Sequence, residues 1–409
     1  MIFEPHTLIV IKVTVSVPAS SCTSASPEVM VPNRLYTAAG PGAGKTTVWM
    51  KSRHSSNRML SIVVLARAIQ NRKYPSSQEV KGDLGRAAGN LVEPTIPDVL
   101  AAAARIRPHL NPTPLRHSVA ISEMVGTDVF LKYEFHLPTG AFKVRGGINL
   151  ISHLSEQERE AGVIAASTGN HGQSVAYAAR LFGARAIICA PKTANSAKVD
   201  AMRELGATVN LVGANFDEAR LACEQLATTN GYRYIHSGNE PLLIAGVATH
   251  TLEILTEQPR IDVIIVPIGG GSGAAGACIV AKAINPGIMI IGVQAEAAPA
   301  AYLSWRERRP VEAAARTWAE GLATGTAFEL PQRILRRLLD DFVLVSDEAI
   351  TEAVRTLLRR TRLLVEGAGA SPLAAALALK DRLKERRVAL ILTGGNISIS
   401  QLKAVLQDS

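Results

Sequence analysis

Short runs of branched apolar residues, each followed by a turn and then a helical pattern, recur from about residue 95 onward. They are Val129–Glu134, Val163–Ser167, Arg185–Ala190, Thr208–Val212, Arg233–His236, Val263–Pro267, Met289–Val293, Phe342–Val345 and Val388–Leu392. Runs that are apolar throughout, such as VIIVP, belong to strands covered on both faces. Helical patterns lie between most of them, at Ser174–Phe182, Ser196–Leu205, Phe216–Thr229 and Leu242–Thr256, with Pro97–Leu110 ahead of the first. A helix between strands supplies the crossover that a parallel pair requires. The expected fold is therefore a doubly wound α/β protein with mainly parallel sheets.

Residues 1–90 follow no such pattern. Leu8–Val17 is strand-like, but Ser/Pro-rich sequence follows it. There is no basic segment ahead of an apolar core, and Lys12 interrupts that core, so a secretory signal does not fit. The region is expected to be an extension, disordered or spurious, although its Arg/Ser richness also resembles an organelle transit peptide. It holds eleven Lys/Arg and four Asp/Glu, a net +7 of the chain's +9. The main body is thus nearly neutral, which argues against nucleic acid as a partner. Ala39–Thr46 reads AGPGAGKT and approaches a phosphate loop around Lys45. It lacks the buried strand before it and the helix after it that such a loop needs, so no nucleotide site is expected. The four cysteines, Cys22, Cys189, Cys223 and Cys278, show no paired spacing, which points to a reducing, cytoplasmic setting. No apolar run reaches the roughly 18 residues that span a bilayer.

Three of the strands end in glycine-rich loops that open helices: Ser167–Gly172 (STGNHG), Gly269–Gly276 (GGGSGAAG) and Thr393–Asn396 (TGGN). Ligands of doubly wound sheets bind at such strand ends, where helix N-termini present N–H groups to anions. GGGSG has the shape of a cradle for a compact dianion, and STGNHG that of a carboxylate site. Leu137–Gly147 (LPTGAFKVRGG) adds a lysine, Lys143, between Phe142 and Val144 and bracketed by glycines. Alone, such a lysine fits a solvated surface as well as a dry cavity. With three anion-shaped loops it fits a cavity and an aldehyde cofactor that carries a phosphate. Pyridoxal phosphate joins a lysine as a Schiff base and stores the electrons of a substrate carbanion.

From about Ile96 to Gln407 the chain resembles the fold-type-II pyridoxal-phosphate enzymes, and within them the threonine/serine ammonia-lyases and serine racemase. Six motifs carry the resemblance in order: PTGAFKVRGG, STGNHG, GGGSG, WAEGLA, VEGAGA and LTGGN. It implies two sheets of tryptophan-synthase-β type with a cofactor cleft between them. The implied boundaries are an extension over 1–90, a large cofactor-binding domain from 91–161 plus 240–409, and a small domain over 162–239. It also implies a homo-oligomer, dimer or tetramer, acting on a small amino acid, with no membrane partner.

By position, the resemblance makes Lys143 the cofactor-bearing lysine and the base at the substrate Cα. Phe142 packs on the cofactor ring, and Asn170 bonds its 3-hydroxyl. Gly269, Gly270, Gly271, Ser272 and Gly273 hold the phosphate, and Thr393 faces the pyridine nitrogen. Ser167, Thr168, Asn170 and His171 hold the substrate carboxylate. The implied reaction converts L-threonine to 2-oxobutanoate, or L-serine to pyruvate, with ammonia released by β-elimination. Serine racemisation is the alternative, with Thr168 as the acid opposite Lys143, and dehydration of 3-hydroxyaspartate is another. Several positions depart from the family pattern: Ala141 stands for serine, Ser272 for the fourth glycine and Glu320 for aspartate. Gln294 and Ala300 occupy the places of two cation-binding carboxylates, so no metal is expected there. With 13 residues after Asn396, no C-terminal regulatory domain is expected.

Overall fold

The computed structural model describes residues 91–407 in full. Of the chain before them it describes three short strands, Val13–Ser16, Leu35–Ala38 and Lys45–Met50, which form an antiparallel sheet with Lys45–Met50 in the middle. Lys45 therefore opens a strand, whereas a phosphate loop would place it at the start of a helix. The rest of the expected extension lies outside the described residues.

The main body begins with α1 (Ile96–Ile106), whose Asp98 accepts the backbone N–H of Thr95 at 2.7 Å. Ten strands follow: β1 (Leu115–His117), β2 (Asp128–Tyr133), β3 (Val163–Ala166), β4 (Ala186–Ala190), β5 (Thr208–Leu211), β6 (Arg233–Tyr234), β7 (Val263–Pro267), β8 (Met289–Ala295), β9 (Asp341–Val345) and β10 (Arg387–Leu392). They form two sheets. The larger has the order β9-β8-β7-β10-β2-β1 and the smaller β5-β4-β3-β6. Every pair is parallel except β1–β2 at one edge. The helices that matter for the site are α2 (Lys143–Ile151), α3 (Asn170–Leu181), α4 (Ser196–Glu204), α5 (Phe216–Asn230), α6 (Pro241–Glu257), α7 (Ser272–Ile284), α8 (Asp347–Thr361) and α9 (Gly367–Ala378).

Strand periodicity sorts the core. Ile264, Val266, Ile290, Ala389 and Ile391 face a cluster completed by α1, α2, α6 and α7. Their neighbours Val263, Ile265, Ile291, Val293, Val388 and Leu390 face the opposite one, built with α8 and α9. The first cluster continues into the small sheet through Val163, Ala165 and Ile188. On the far face of that sheet, Ile164 and Cys189 pack against Cys223 and Ala227 of α5. Each of these large apolar side chains contributes about 1.5–3 kcal/mol when fully buried. No described helix is long and apolar enough to cross a membrane.

The expectation placed strands well and missed α2, because Gly146 and Gly147 depress helix propensity. The same glycines allow α2 to pack closely on its neighbours. A Cβ at Gly146 would meet Leu243 Cγ at 2.8 Å, and one at Gly147 would meet Ser174 Oγ at 2.4 Å. The reverse contact is at Gly246 of α6, where a Cβ would lie 2.6 Å from the Arg145 carbonyl oxygen and 2.8 Å from Gly146 Cα. Both are backbone atoms and cannot rotate away. Gly246→Ala is therefore expected to destabilise the fold by about 1–3 kcal/mol. A denaturant titration should show a lower midpoint at an unchanged slope.

Candidate active site

Lys143 is the first residue of α2, and Phe142 before it is fixed by donating its N–H to the Thr393 carbonyl at 3.0 Å. An isolated bridge from Ala141 to Gly394 continues this contact. The loop before Lys143 is thereby stitched to the end of β10. The lysine Nζ lies 2.9 Å from the Ser237 carbonyl oxygen and 2.9 Å from Ser272 Oγ. Burial pulls its pKa down to about 8, because a desolvated ammonium loses more than a desolvated amine. Ser272 is the first residue of α7, so Lys143 faces the GGGSG loop directly.

That loop is a cradle from which side chains are excluded. Gly271 has φ +84°, a left-handed conformation that turns β7 into α7. A Cβ at Gly269 would lie 2.2 Å from the Gly321 carbonyl oxygen, and one at Gly270 would lie 2.2 Å from Phe328 Cε2. A Cβ at Gly273 would press on Phe142 Cε2 at 3.0 Å. The first backbone N–H groups of α7 have no intrahelical partner and meet a positive dipole end. A phosphate fits this cradle, and an aldehyde on the same small molecule fits the amine beside it. The residues present therefore suit pyridoxal phosphate.

The STGNHG loop ends β3 and runs into α3, which starts at Asn170, four residues earlier than its apolar pattern indicates. Ser167 Oγ accepts the N–H of Gly169 at 3.1 Å and of Gly172 at 2.9 Å, so it shapes the loop. His171 Nε2 lies 3.1 Å from the Ile235 carbonyl oxygen, which assigns its hydrogen to Nε2. Nδ1 is buried without a partner and keeps a lone pair. Burial and the nearby Lys143 hold the His171 pKa down to about 3, so the ring is neutral. Thr168 is half-buried in the middle of the loop. Asn170 donates to Glu366 Oε1 at 2.7 Å and accepts from Asn396 Nδ2 at 2.8 Å. Its amide thus ties α3 to the residue before α9 and to the loop after β10. Burial raises the Glu366 pKa, against the pull of Lys198.

Sequence reasoning missed several members of this constellation. Lys198 of α4 reaches Glu320 Oε2 at 2.5 Å, and Gln401 donates to the other oxygen at 3.0 Å. The Lys198 stem covers Gly169, whose added Cβ would lie 3.4 Å from Lys198 Cδ. Nothing local marks this lysine, since it lies in an ordinary polar helix. Phe328, which lids Gly238 and Gly270, was equally silent. Gln294, at the place of an expected missing cation ligand, accepts the Tyr302 N–H at 3.0 Å, and Ala300 opens a helix over Ala300–Glu307. Beneath Lys143 lies a buried ion network. Arg145 holds Glu134 at 2.6 and 2.9 Å and Glu253 at 2.6 and 2.8 Å, while Lys132 holds Glu253 at 2.6 Å. Thr113 adds a hydrogen bond to Glu134 at 2.6 Å.

A parallel α/β body with a buried amine beside an anion cradle fits the class of enzymes that carry a cofactor on a lysine. The family model described as pyridoxal-phosphate dependent enzyme matches residues 106–394. The chain belongs to that family, as one of its fold-type-II members. It is 38% identical over 313 residues to an L-threonine ammonia-lyase of Thermotoga maritima, a match covering 76% of this chain and 78% of that one. It is 39% identical over 315 residues to a catabolic L-threonine dehydratase of Staphylococcus aureus, covering 76% and 91%. The structure of a maize serine racemase superposes with a TM-score of 0.73 at 32% identity, over 78% of this chain and 98% of the other.

Proposed function

We propose that this protein converts L-threonine to 2-oxobutanoate and ammonia, and L-serine to pyruvate and ammonia, by β-elimination. The observation that carries this reading is the Lys143 amine, set 2.9 Å from both the Ser237 carbonyl and Ser272 Oγ beside a glycine-lined cradle. Relatives named for threonine, at 38% and 39% identity, support the substrate. Gly269, Gly270, Gly271, Ser272 and Gly273 would hold the cofactor phosphate, Phe142 would pack on the ring, and Thr393 and Asn170 would meet its polar edges. Bound pyridoxal phosphate supplies a sink for the electrons left at Cα.

The protein's own groups do the rest. Lys143 would tether the cofactor, and its free amine would take the Cα proton. Its lowered pKa, about 8, makes the free base accessible near neutral pH, where an ordinary lysine is almost wholly charged. Thr168, Asn170 and the N–H groups at the start of α3 would receive the substrate carboxylate. Ser167 and His171 support that loop from within, through the hydrogen bonds described above.

Serine racemisation is the second reading, favoured by the likeness to the maize enzyme. It needs an acid opposite Lys143, for which the Thr168 hydroxyl is the candidate. A panel of L-threonine, L-serine and 3-hydroxyaspartate separates the readings. Keto acid is expected fastest from L-threonine, whereas D-serine formed from L-serine as fast as pyruvate would reverse the order. Residues 91–161 with 240–409 would form the cofactor domain and 162–239 the smaller one, in a cytoplasmic dimer or tetramer. The free, buried thiols of Cys189, Cys223 and Cys278 agree with a reducing compartment.

A further inference from the structure

The helix Glu329–Leu338 carries three arginines, Arg333, Arg336 and Arg337, and Arg308 follows the helix Ala300–Glu307. All four line one cavity of about 830 Å³, within the roughly 300–1,000 Å³ of small-molecule sites. Arg333 and Arg337 share the Glu93 carboxylate, Arg333 at 3.1 Å. Arg308 and Arg336 have no carboxylate partner among the described residues. Their guanidinium groups bond backbone carbonyls instead, Arg308 that of Arg336 at 3.4 Å and Arg336 that of Ser304 at 3.1 Å. Against these four positive charges stand two negative ones, Glu329 in the lining and Glu93 beside it, which leaves an excess of two. Burial and the neighbouring Arg308 pull the Arg336 pKa below its ordinary value, as befits a cation held without a counter-charge.

The lining is also short of hydrogen bonds. Gln332 is 4% exposed, and its amide nitrogen donates to the Ala301 carbonyl at 3.0 Å, which leaves Oε1 as an acceptor. That oxygen is buried without a partner, and so is Arg336 Nε one helical turn further on. Buried polar atoms are rarely left in this state without a group to meet them. We infer that the cavity is a binding site for a small organic dianion, a dicarboxylate or a phosphate monoester, that also carries a hydroxyl or amino donor. Two negative charges answer the excess, and planar guanidinium groups grip carboxylate or phosphate oxygens in pairs. The donor serves the Gln332 oxygen. No lysine, serine, cysteine or histidine lines the cavity, so it offers no nucleophile and its occupant is held rather than transformed. The site is distinct from the cradle, none of whose glycines lines it. It adjoins that region through Ala327 and Glu329, which flank Phe328 over Gly238 and Gly270.

The cradle itself takes phosphate, so the test uses protein saturated with pyridoxal phosphate. Calorimetric titrations at constant ionic strength compare L-malate with succinate, and glycerol 1-phosphate with propyl phosphate. Saturable binding of L-malate or of glycerol phosphate is expected, and the tighter of the two identifies the dianion as dicarboxylate or phosphate. In that pair the probe with hydroxyl groups should bind at least about fivefold more tightly than its counterpart. Arg308→Ala and Arg336→Ala should each weaken its binding by about tenfold or more, and Arg308→Glu should abolish it. Unfolding midpoints show which variants are folded. Arg308 is exposed, so its variants decide the matter even where Arg336→Ala destabilises the protein.

Failure of both hydroxyl-bearing probes to saturate below about 10 mM overturns the inference. So does binding that both Arg308 variants leave within about twofold of wild type, or equal affinity within the preferred pair. None of the probes carries an amine, so the outcome is independent of the reaction assigned to Lys143.

Discussion

Lys143→Ala is expected to lower keto-acid release from L-threonine by at least about a thousandfold, since in the proposed reaction the change removes the tether and the base together. The visible absorbance that attachment to the lysine confers should vanish, while the phosphate cradle of Gly269–Gly273 continues to bind the cofactor weakly. The loss is one of chemistry, because Lys143 contributes little to folding. Its amine is desolvated, its pKa is pulled down to about 8, and its partners are one carbonyl and one hydroxyl. An unfolding midpoint equal to or slightly above that of wild type should accompany the lost turnover. A variant with wild-type absorbance and activity would remove Lys143 from the reaction.

Arg145→Leu should have the opposite signature, a large loss of stability two residues away. Arg145 is 1% exposed and bridges Glu134 and Glu253, with Lys132 completing the set. Its removal leaves the Glu134 carboxylate buried with its main counter-charge gone, a defect of about 3–5 kcal/mol. Burial by itself would raise the Glu134 pKa. The charge and hydrogen bonds of Arg145, with Lys132 behind them, overcome that and hold it at about 2, below the ordinary 4.5. A folded-state pKa below the unfolded one means that this stability is fully present above pH 4.5. It drains away as the pH falls from there toward 2. Denaturant midpoints of wild type should fall across that window, and those of Arg145→Leu should fall less. Equal stability of the two proteins at neutral pH would show that the network contributes nothing.

Strands were the most legible part of the chain. Val263–Pro267 was expected and found to the residue, because a run apolar at every position suits a strand covered on both faces. Helices that carry the site were harder to read. Gly146 and Gly147 argue locally against α2, and only its packing on α6 and α3 explains them. The motif residues of STGNHG were visible, but their division of labour was not. Whether Ser167 points at a ligand or at the N–H groups of Gly169 and Gly172 depends on a loop conformation that composition does not specify. Lys198 with Glu320, and Arg145 with Glu253, join residues more than a hundred positions apart. No periodicity encodes such pairs.

The three described cysteines give each half of the molecule its own clock. Cys189 and Cys223 meet beneath the small sheet, and Cys278 sits inside α7, the helix whose first turn makes the cradle; all three are fully shielded from solvent. A thiol-specific reagent can reach them only when the surrounding structure opens. The rate at which each position is modified therefore times the opening of one sheet separately from the other. With cofactor present, retarded modification of Cys278 relative to Cys189 and Cys223 would locate the stabilisation at the cradle, without an assay of turnover.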